Sequence, residues 1–378
     1  MRFCKIEIKL NSPTILPKKR VERGYKGCLD YIPSTTLRGS LLTSLYLNGY
    51  VKLDKVKELA RSFGVFASNA YPVIENKESQ PSHPFMYECK VPHGKKYERV
   101  NFINEVVDKL RSHEKTLFKF ECSKGHSALS YVHPKPVILL NYEGEMFKVA
   151  SVRAQSTIST AISKRRASSQ SGMLYEYDFM IEGQRFWSYI GISDELSKYV
   201  EKGLELKIGR GVSRGFGSSR IENVEEISLS ERRERIESEV DLRGKTVLFY
   251  AQSPLLGFDG FVNYTPYPKN IELNSVLKVC GFNVYNAGSI TVSEVYAKTR
   301  ALHGGWDMDM NVRRPVFTGV ASEGAIAVGR VNVKQDTVTA LALLSIVGYP
   351  IKVDGYVFTG LNILTPLQIQ PISGGGRN

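Results

Sequence analysis

The chain has 378 residues, and its 51 Lys and Arg against 38 Asp and Glu leave a formal charge of +13. That length suits about two domains, and the basic excess points to nucleic acid or another anionic partner. No apolar run reaches membrane-span length, the N-terminus lacks the h-region of a signal peptide, and five scattered cysteines argue against a disulfide framework and for a reducing cytoplasm.

Residues 2–10 alternate, Cys4, Ile6, Ile8 and Leu10 against Phe3, Lys5, Glu7 and Lys9, which predicts a half-buried strand. The basic stretch ILPKKRVERGYKG then reads as a loop. In IPSTTLRGSLLTSLYLNGY, Pro33 with Ser34 and Thr35 marks a helix start, and Leu37, Leu41 and Leu45 share one face. Ser34, Thr36 and Arg38 thereby crowd a helix N-terminus, where N–H groups and the dipole favour a phosphate. Ordinary capping accounts for the same residues. A second helix is expected from about Asp54 to Gly64.

Prolines 72, 81, 84 and 92 break up the next segment. It carries Cys89-x3-His93, and Cys122-x3-His126 follows a short helical stretch. Two thiolates and two imidazoles can close a tetrahedral, structural zinc site, although the spacing is not that of a standard finger. Two unrelated pairs on loops are the alternative.

From Pro136 the pattern is strand-like. The polar segment Ser156–Gly172 carries Lys164, Arg165 and Arg166 and reads as a protruding hairpin before the strand MLYEYDFMIEG. Strand QRFWSYIGI and helix SDELSKYVEKGL lead into LELKIGRGVSRGFGSSRI. This stretch lacks an apolar period and reads as a loop. Gly209, Gly211, Gly215 and Gly217 let its backbone come close to a ligand, their amides can form an anion nest, and Arg210 and Arg214 add phosphate contacts. No Gly-Lys-Ser/Thr follows, and the loop does not open a helix, so no nucleotide cofactor is expected.

Ser228–Glu239 is charged, helix-prone and reads as a linker. The second half is strand-rich, with a small-residue apolar helix at Thr337–Val347, and the tail SGGGRN reads as disordered. The whole predicts an α+β protein of two ferredoxin-like (RRM-like) units. Residues 1–225 form the first, with a loop-rich insertion at about 69–135. Residues 226–243 link it to the second, 244–372, and 373–378 form the tail. Catalytic signals are sparse: His303 beside Gly304-Gly305-Trp306 is a candidate base for RNA cleavage, and Asp30 a candidate ligand for a divalent ion near a phosphate.

IPSTTLRGSLL resembles the helix "IPGSSLRGALR" of the RAMP superfamily of CRISPR effector proteins, and GRGVSRGFG resembles that superfamily's glycine-rich loop. ASNAYP, the Cys/His pairs, the polar stretch before LYEYDFMIEGQRF, and Gly304-Gly305-Trp306 followed by RRPVFTGVASEGAIAVG resemble the Csx-ten, Cas-five-like family of type III-D systems. The glycine loop lies mid-chain here, and the pairs are C-x3-H where C-x2-C is expected. The resemblance implies a non-catalytic, cytoplasmic subunit of a type III interference complex in antiviral defence. It would hold the 5′ handle of the guide RNA through Ser34, Thr36, Arg38, Arg210, Arg214, Phe216 and the glycines. Lys164, Arg165 and Arg166 would reach between neighbours or along the RNA, and Trp306 is a further candidate for base stacking. Partners would be Cas-ten-like and Cas-seven-like subunits, and target RNA through the guide. The alternatives are a Cas-seven-like subunit cleaving target RNA through Asp30 and a Cas-six-like guide-processing endoribonuclease.

Overall fold

The computed structural model describes residues 1–367 except 22–23, 95, 112–117, 141–145, 164, 166–167, 243–245, 260–262, 284–285 and 308–309. In chain order, β1 (Arg2–Leu10) is followed by the ribbon β2 (Pro17–Val21) and β3 (Gly24–Cys28), then helices α1 (Ser34–Leu47) and α2 (Leu53–Ala60). Next come β4 (Val65–Ala67) and β5 (Tyr71–Ile74), and, after the proline-rich segment, α3 (Ile103–Arg111). The hairpin β6 (Ala154–Ser163) and β7 (Ser168–Met180) precedes β8 (Arg185–Ile192), α4 (Asp194–Ser197), β9 (Ser218–Glu226) and α5 (Leu229–Glu239). The second half runs β10 (Thr246–Ala251), α6 (Leu273–Val279), β11 (Ser289–Tyr296), β12 (Ile326–Asn332), α7 (Thr337–Val347) and β13 (Leu364–Pro366).

Two antiparallel sheets carry this mixed α+β fold. In the first, β9 pairs with β1, β1 with β8, and β8 with both β4 and β5. In the second, β11 pairs with β12, β12 with β10, and β10 with β13. Both sheets therefore bring the first and third core strands to the centre, with a helix after the first and another after the third.

Period-2 patterning explains how the layers stack. Ile6, Ile8 and Leu10 of β1 face Leu37, Leu41 and Leu45 of α1. Phe3 and Phe66 point the other way, into a core shared with α6 and α7. Val247 and Phe249 of β10 face the same helices, while Leu248 packs with Ile326 and Val328 against Val106, Val107 and Leu110 of α3. Helix α7 is thus enclosed by both sheets, which is why residues 340–347 are apolar or small and buried all round. The insertion belongs to the first half in sequence, yet it covers the outer face of the second sheet.

Several expectations are corrected. The basic "loop" after β1 is the ribbon β2–β3, which joins β7 through parallel pairing of Tyr25 with Tyr177. Helix SDELSKYVEKGL is one turn, α4, whose continuation bonds from Tyr199 N–H to the Leu196 carbonyl and from Val200 to Ser197 are of the i→i+3 type. Residues 204–221 include strand Glu205–Lys207 and the start of β9. Helix α6 went unread, although Leu273, Val276, Leu277 and Cys280 carry its apolar spacing and are buried. The charged segment 229–239 is, by contrast, the helix its composition favoured, capped by Ser228 and anchored by buried Ile236. The expected disordered tail lies outside the described residues, among which no helix is long and apolar enough to cross a membrane.

Candidate nucleic-acid interface and metal centre

The glycine loop is set by the strands on either side of it. Glu205–Lys207 pairs with β9 in the register Glu205 to Arg220, and residues 208–217 close the turn. Gly209 and Gly217 serve the protein's own packing: a Cβ at either would lie 2.5 Å from the Ile15 carbonyl oxygen or 2.1 Å from that of Ile208. The loop amides are also largely engaged. Arg210 and Gly217 donate to the carbonyls of Ile15 (3.1 Å) and Pro13 (2.8 Å), and Arg214, Gly215 and Phe216 donate within the turn. The expected anion nest is therefore corrected over these five amides, because their hydrogen atoms already have acceptors.

What the loop offers outward is its arginine side chains. The exposed Arg210 guanidinium lies 5.1 Å from the Tyr25 ring centre, and that of Arg214 lies 4.9 Å from Tyr177, whose hydroxyl it meets at 2.9 Å. The two tyrosine rings are 5.9 Å apart. Tyr175 stacks on Tyr177 along β7, and Phe216 packs on Phe179 at 5.9 Å. Sequence reasoning missed Tyr25, Tyr175 and Tyr177. The every-second-residue spacing of Tyr175, Tyr177 and Phe179 was the available signal for one aromatic face. Arg165 is exposed at the hairpin tip, while Lys164 and Arg166 lie outside the described residues.

The α1 N-terminus is occupied differently. The Ser34 amide donates to Asn69 Oδ1 at 2.8 Å, and Gly360 approaches so closely that a Cβ there would sit 2.7 Å from Ser34 Cβ. Arg38 is buried and donates to the carbonyls of Val65 (2.8 Å), Ala60 (3.2 Å), Leu59 (2.7 Å) and Ser62 (2.8 Å). Burial first, then the nearby Arg314 charge, lowers its pKa to about 10. The expectation that Ser34 and Arg38 face a phosphate is corrected: both are turned inward, and Arg38 satisfies carbonyls at the end of α2 and the following turn. Thr36 stays half-buried in the first turn.

Asp30 is ion-paired with Lys18 at 2.8 Å. His303 Nδ1 meets Arg313 Nη2 at 2.9 Å, and burial followed by the Arg313 and Arg300 charges pushes its pKa down. Trp306, 53% exposed, pairs across a short ribbon from Arg313.

The Cys/His pairs do come together. Cys89, at the end of strand Met86–Cys89, lies with His93, Cys122 and His126 so that one donor atom of each falls within 4.8 Å of the others. Cys89 Sγ is 3.7 Å from His126 Nδ1, and Cys122 Sγ is 3.4 Å from His93 Nε2. Ligands on one tetrahedral zinc stand about 3.5 Å apart, so both separations suit a shared ion. His93 Nδ1, the other ring nitrogen, meets Glu98 Oε2 at 2.9 Å, which orients Nε2 toward the cluster. Glu98 also accepts from the Ser123 hydroxyl at 2.8 Å, tying the two knuckles together.

A family model described as the RAMP superfamily matches residues 7–220. No curated protein matches the chain. Among solved structures, it is similar to a chain of the type III-B Cmr-beta complex bound to cognate target RNA, with 14% identity, 85% of this chain and 86% of that chain covered, and a TM-score of 0.44. Oligomeric Cmr4 from Pyrococcus furiosus is 13% identical over 60% of this chain and 99% of that chain, with a TM-score of 0.27. A chain of apo Cmr-beta is 10% identical over 60% and 98%, with a TM-score of 0.31.

Proposed function

Because the chain belongs to the RAMP superfamily, we propose that it is a guide-RNA-binding, non-catalytic subunit of a type III CRISPR interference complex, of the III-D kind that the Csx-ten-like motifs indicate. It would hold the 5′ handle of the guide and dock on Cas-ten-like and Cas-seven-like subunits in the cytoplasm, meeting target RNA through the guide. The observation that carries RNA binding is the exposed pair Arg210 and Arg214 seated on tyrosines where loop, ribbon and hairpin meet. The strand order of both sheets supports two ferredoxin-like units, the first ending near β9 and the second starting near β10. The same reading takes the chain as non-catalytic; Asp30, the candidate ligand for a divalent ion, is ion-paired with Lys18.

The four ligands Cys89, His93, Cys122 and His126 would hold a structural zinc ion with no open position. Its contribution would be to fix the insertion over the second sheet, since the ligands flank the segment that carries α3.

The test is binding of guide RNA by the purified chain over a range of salt. Arg210→Ala with Arg214→Ala is expected to weaken binding and reduce the salt slope by about two units or less. Unchanged binding at every salt concentration would remove the loop from the interface. The same RNA should stay intact with or without magnesium. Metal-dependent cuts that vanish in Asp30→Ala would instead make the chain a Cas-seven-like nuclease, and metal-independent cuts would implicate a histidine. Elemental analysis of protein never exposed to chelator should give one zinc per chain, lost in Cys122→Ser. Metal-free protein would exclude the zinc site.

A further inference from the structure

The glycine loop, the ribbon β2–β3 and the hairpin β6–β7 converge on one patch whose chemistry differs from a phosphate cradle. Five of the nine amides of residues 209–217 already donate to carbonyls of the protein, so the backbone offers only part of a phosphate cradle. The two exposed guanidiniums are not free forks. Each rests on a tyrosine, at 5.1 Å for Arg210 on Tyr25 and 4.9 Å for Arg214 on Tyr177, and Arg214 spends one N–H on the Tyr177 hydroxyl. The tyrosines are held in turn, their rings 5.9 Å apart on paired strands, with Tyr175 stacked behind Tyr177.

An arginine laid on an aromatic ring has lost much of its rotamer freedom before any ligand arrives. What it still offers is an exposed planar cation, and unpaired bases stack on guanidinium planes as they do on aromatic rings. A base inside a duplex cannot expose its face, so such a surface prefers single strands.

We propose that Arg210 on Tyr25 and Arg214 on Tyr177 form a stacking platform for unpaired bases of single-stranded RNA, with the tyrosines as positioning residues. This rests on the RNA-binding reading above and specifies how that site recognises its ligand: through base faces rather than through the phosphate backbone alone.

The test uses the full chain and a short single-stranded RNA carrying 2-aminopurine, beside a duplex of the same strand. The single strand should bind tighter, and 2-aminopurine fluorescence should be quenched on binding. The informative variant is Arg210→Lys with Arg214→Lys, which keeps both charges at exposed positions but removes both planes. It should lose the quenching and about tenfold in affinity, while the salt slope stays that of the parent. Tyr25→Leu with Tyr177→Leu should do the same, and the Tyr→Phe pair should retain most of the signal. A lysine variant that binds and quenches like the parent would overturn the platform, because charge alone would then account for binding. Binding without quenching, or equal affinity for duplex, would overturn it while leaving the RNA-binding reading intact. A parent chain that binds no RNA would remove both.

Discussion

The seam between the two halves and the surface around the glycine loop use the same residue types in opposite ways. At the seam, charged and polar groups are buried or half-buried and paired across it. Arg300 meets both oxygens of buried Glu323 at 2.7 Å and the Tyr31 hydroxyl at 2.5 Å. The Tyr71 hydroxyl donates to the Gln252 carbonyl at 2.6 Å. Arg232 of α5 lies 4.7 Å from the Tyr189 ring in the first half and bonds Ser345 in the second. His133 Nδ1 donates to the Ser82 carbonyl, leaving Nε2 to accept from the Lys298 amide and the Ser322 hydroxyl. Around the loop, arginine and tyrosine are paired with each other, but the arginines stay exposed. Buried polar groups of the first kind hold two halves in one arrangement, because breaking any of them strands a partner away from water. Groups of the second kind cost little to leave open and are available to a ligand.

The sharpest way to break this contrast is Arg38→Met. It keeps an apolar stem but takes a donor from four carbonyls, of which that of Leu59 keeps another in Ser62, and a loss of about 3 kcal/mol in unfolding free energy is expected from denaturant titration. A loss of less than about 1 kcal/mol would place Arg38 with the dispensable surface charges.

A smaller effect per residue comes from pH. Burial pulls the pKa of His133 down from 6.5 to about 4, the Ser82 carbonyl opposing and Lys298 adding to the shift, and burial pulls His83 down to about 3. Both are neutral in the folded protein, and the unfolded chain binds more protons below pH 6.5. The stability they contribute is thus complete above pH 6.5 and is lost as pH falls toward the folded values. About 2 kcal/mol for each should be gone at pH 5. Thermal denaturation from pH 7 to 5 reads this, and His133→Gln should flatten the slope. A midpoint independent of pH over that range would contradict the neutral assignment.

The smallest stability effect belongs to the loop. Arg210→Ala with Arg214→Ala should shift unfolding by no more than about 0.5 kcal/mol for either residue while weakening RNA binding. A large destabilisation there would erase the distinction between seam and surface.

Local pattern was enough to read some of this. Alternation in residues 2–10 and the spacing of Leu37, Leu41 and Leu45 predict β1 and the buried face of α1, since each depends on neighbours a few positions away. The Cys/His pairs carried their own chemistry, and the fold brings them together. The glycine loop was found, but its amides looked available, because nothing in GRGVSRGFG reveals that Ile15 and Pro13 supply the acceptors. Arg38 shows the same limit: a motif next to a helix start marks the residue, and only the path of the chain after α2 decides that its fork faces carbonyls.

By itself, then, the sequence determined the residue types, their local periodicities and the basic balance that points to a polyanion. The tertiary structure decided which of the basic groups stay exposed. It turned Arg38 inward, seated Arg210 and Arg214 on tyrosines from two other elements, and laid an insertion from the first half over the second sheet. The physical reason is that periodicity is a property of one segment, whereas desolvation and hydrogen-bond satisfaction depend on partners far away in sequence, such as Tyr177 for Arg214 and Gly360 for Ser34.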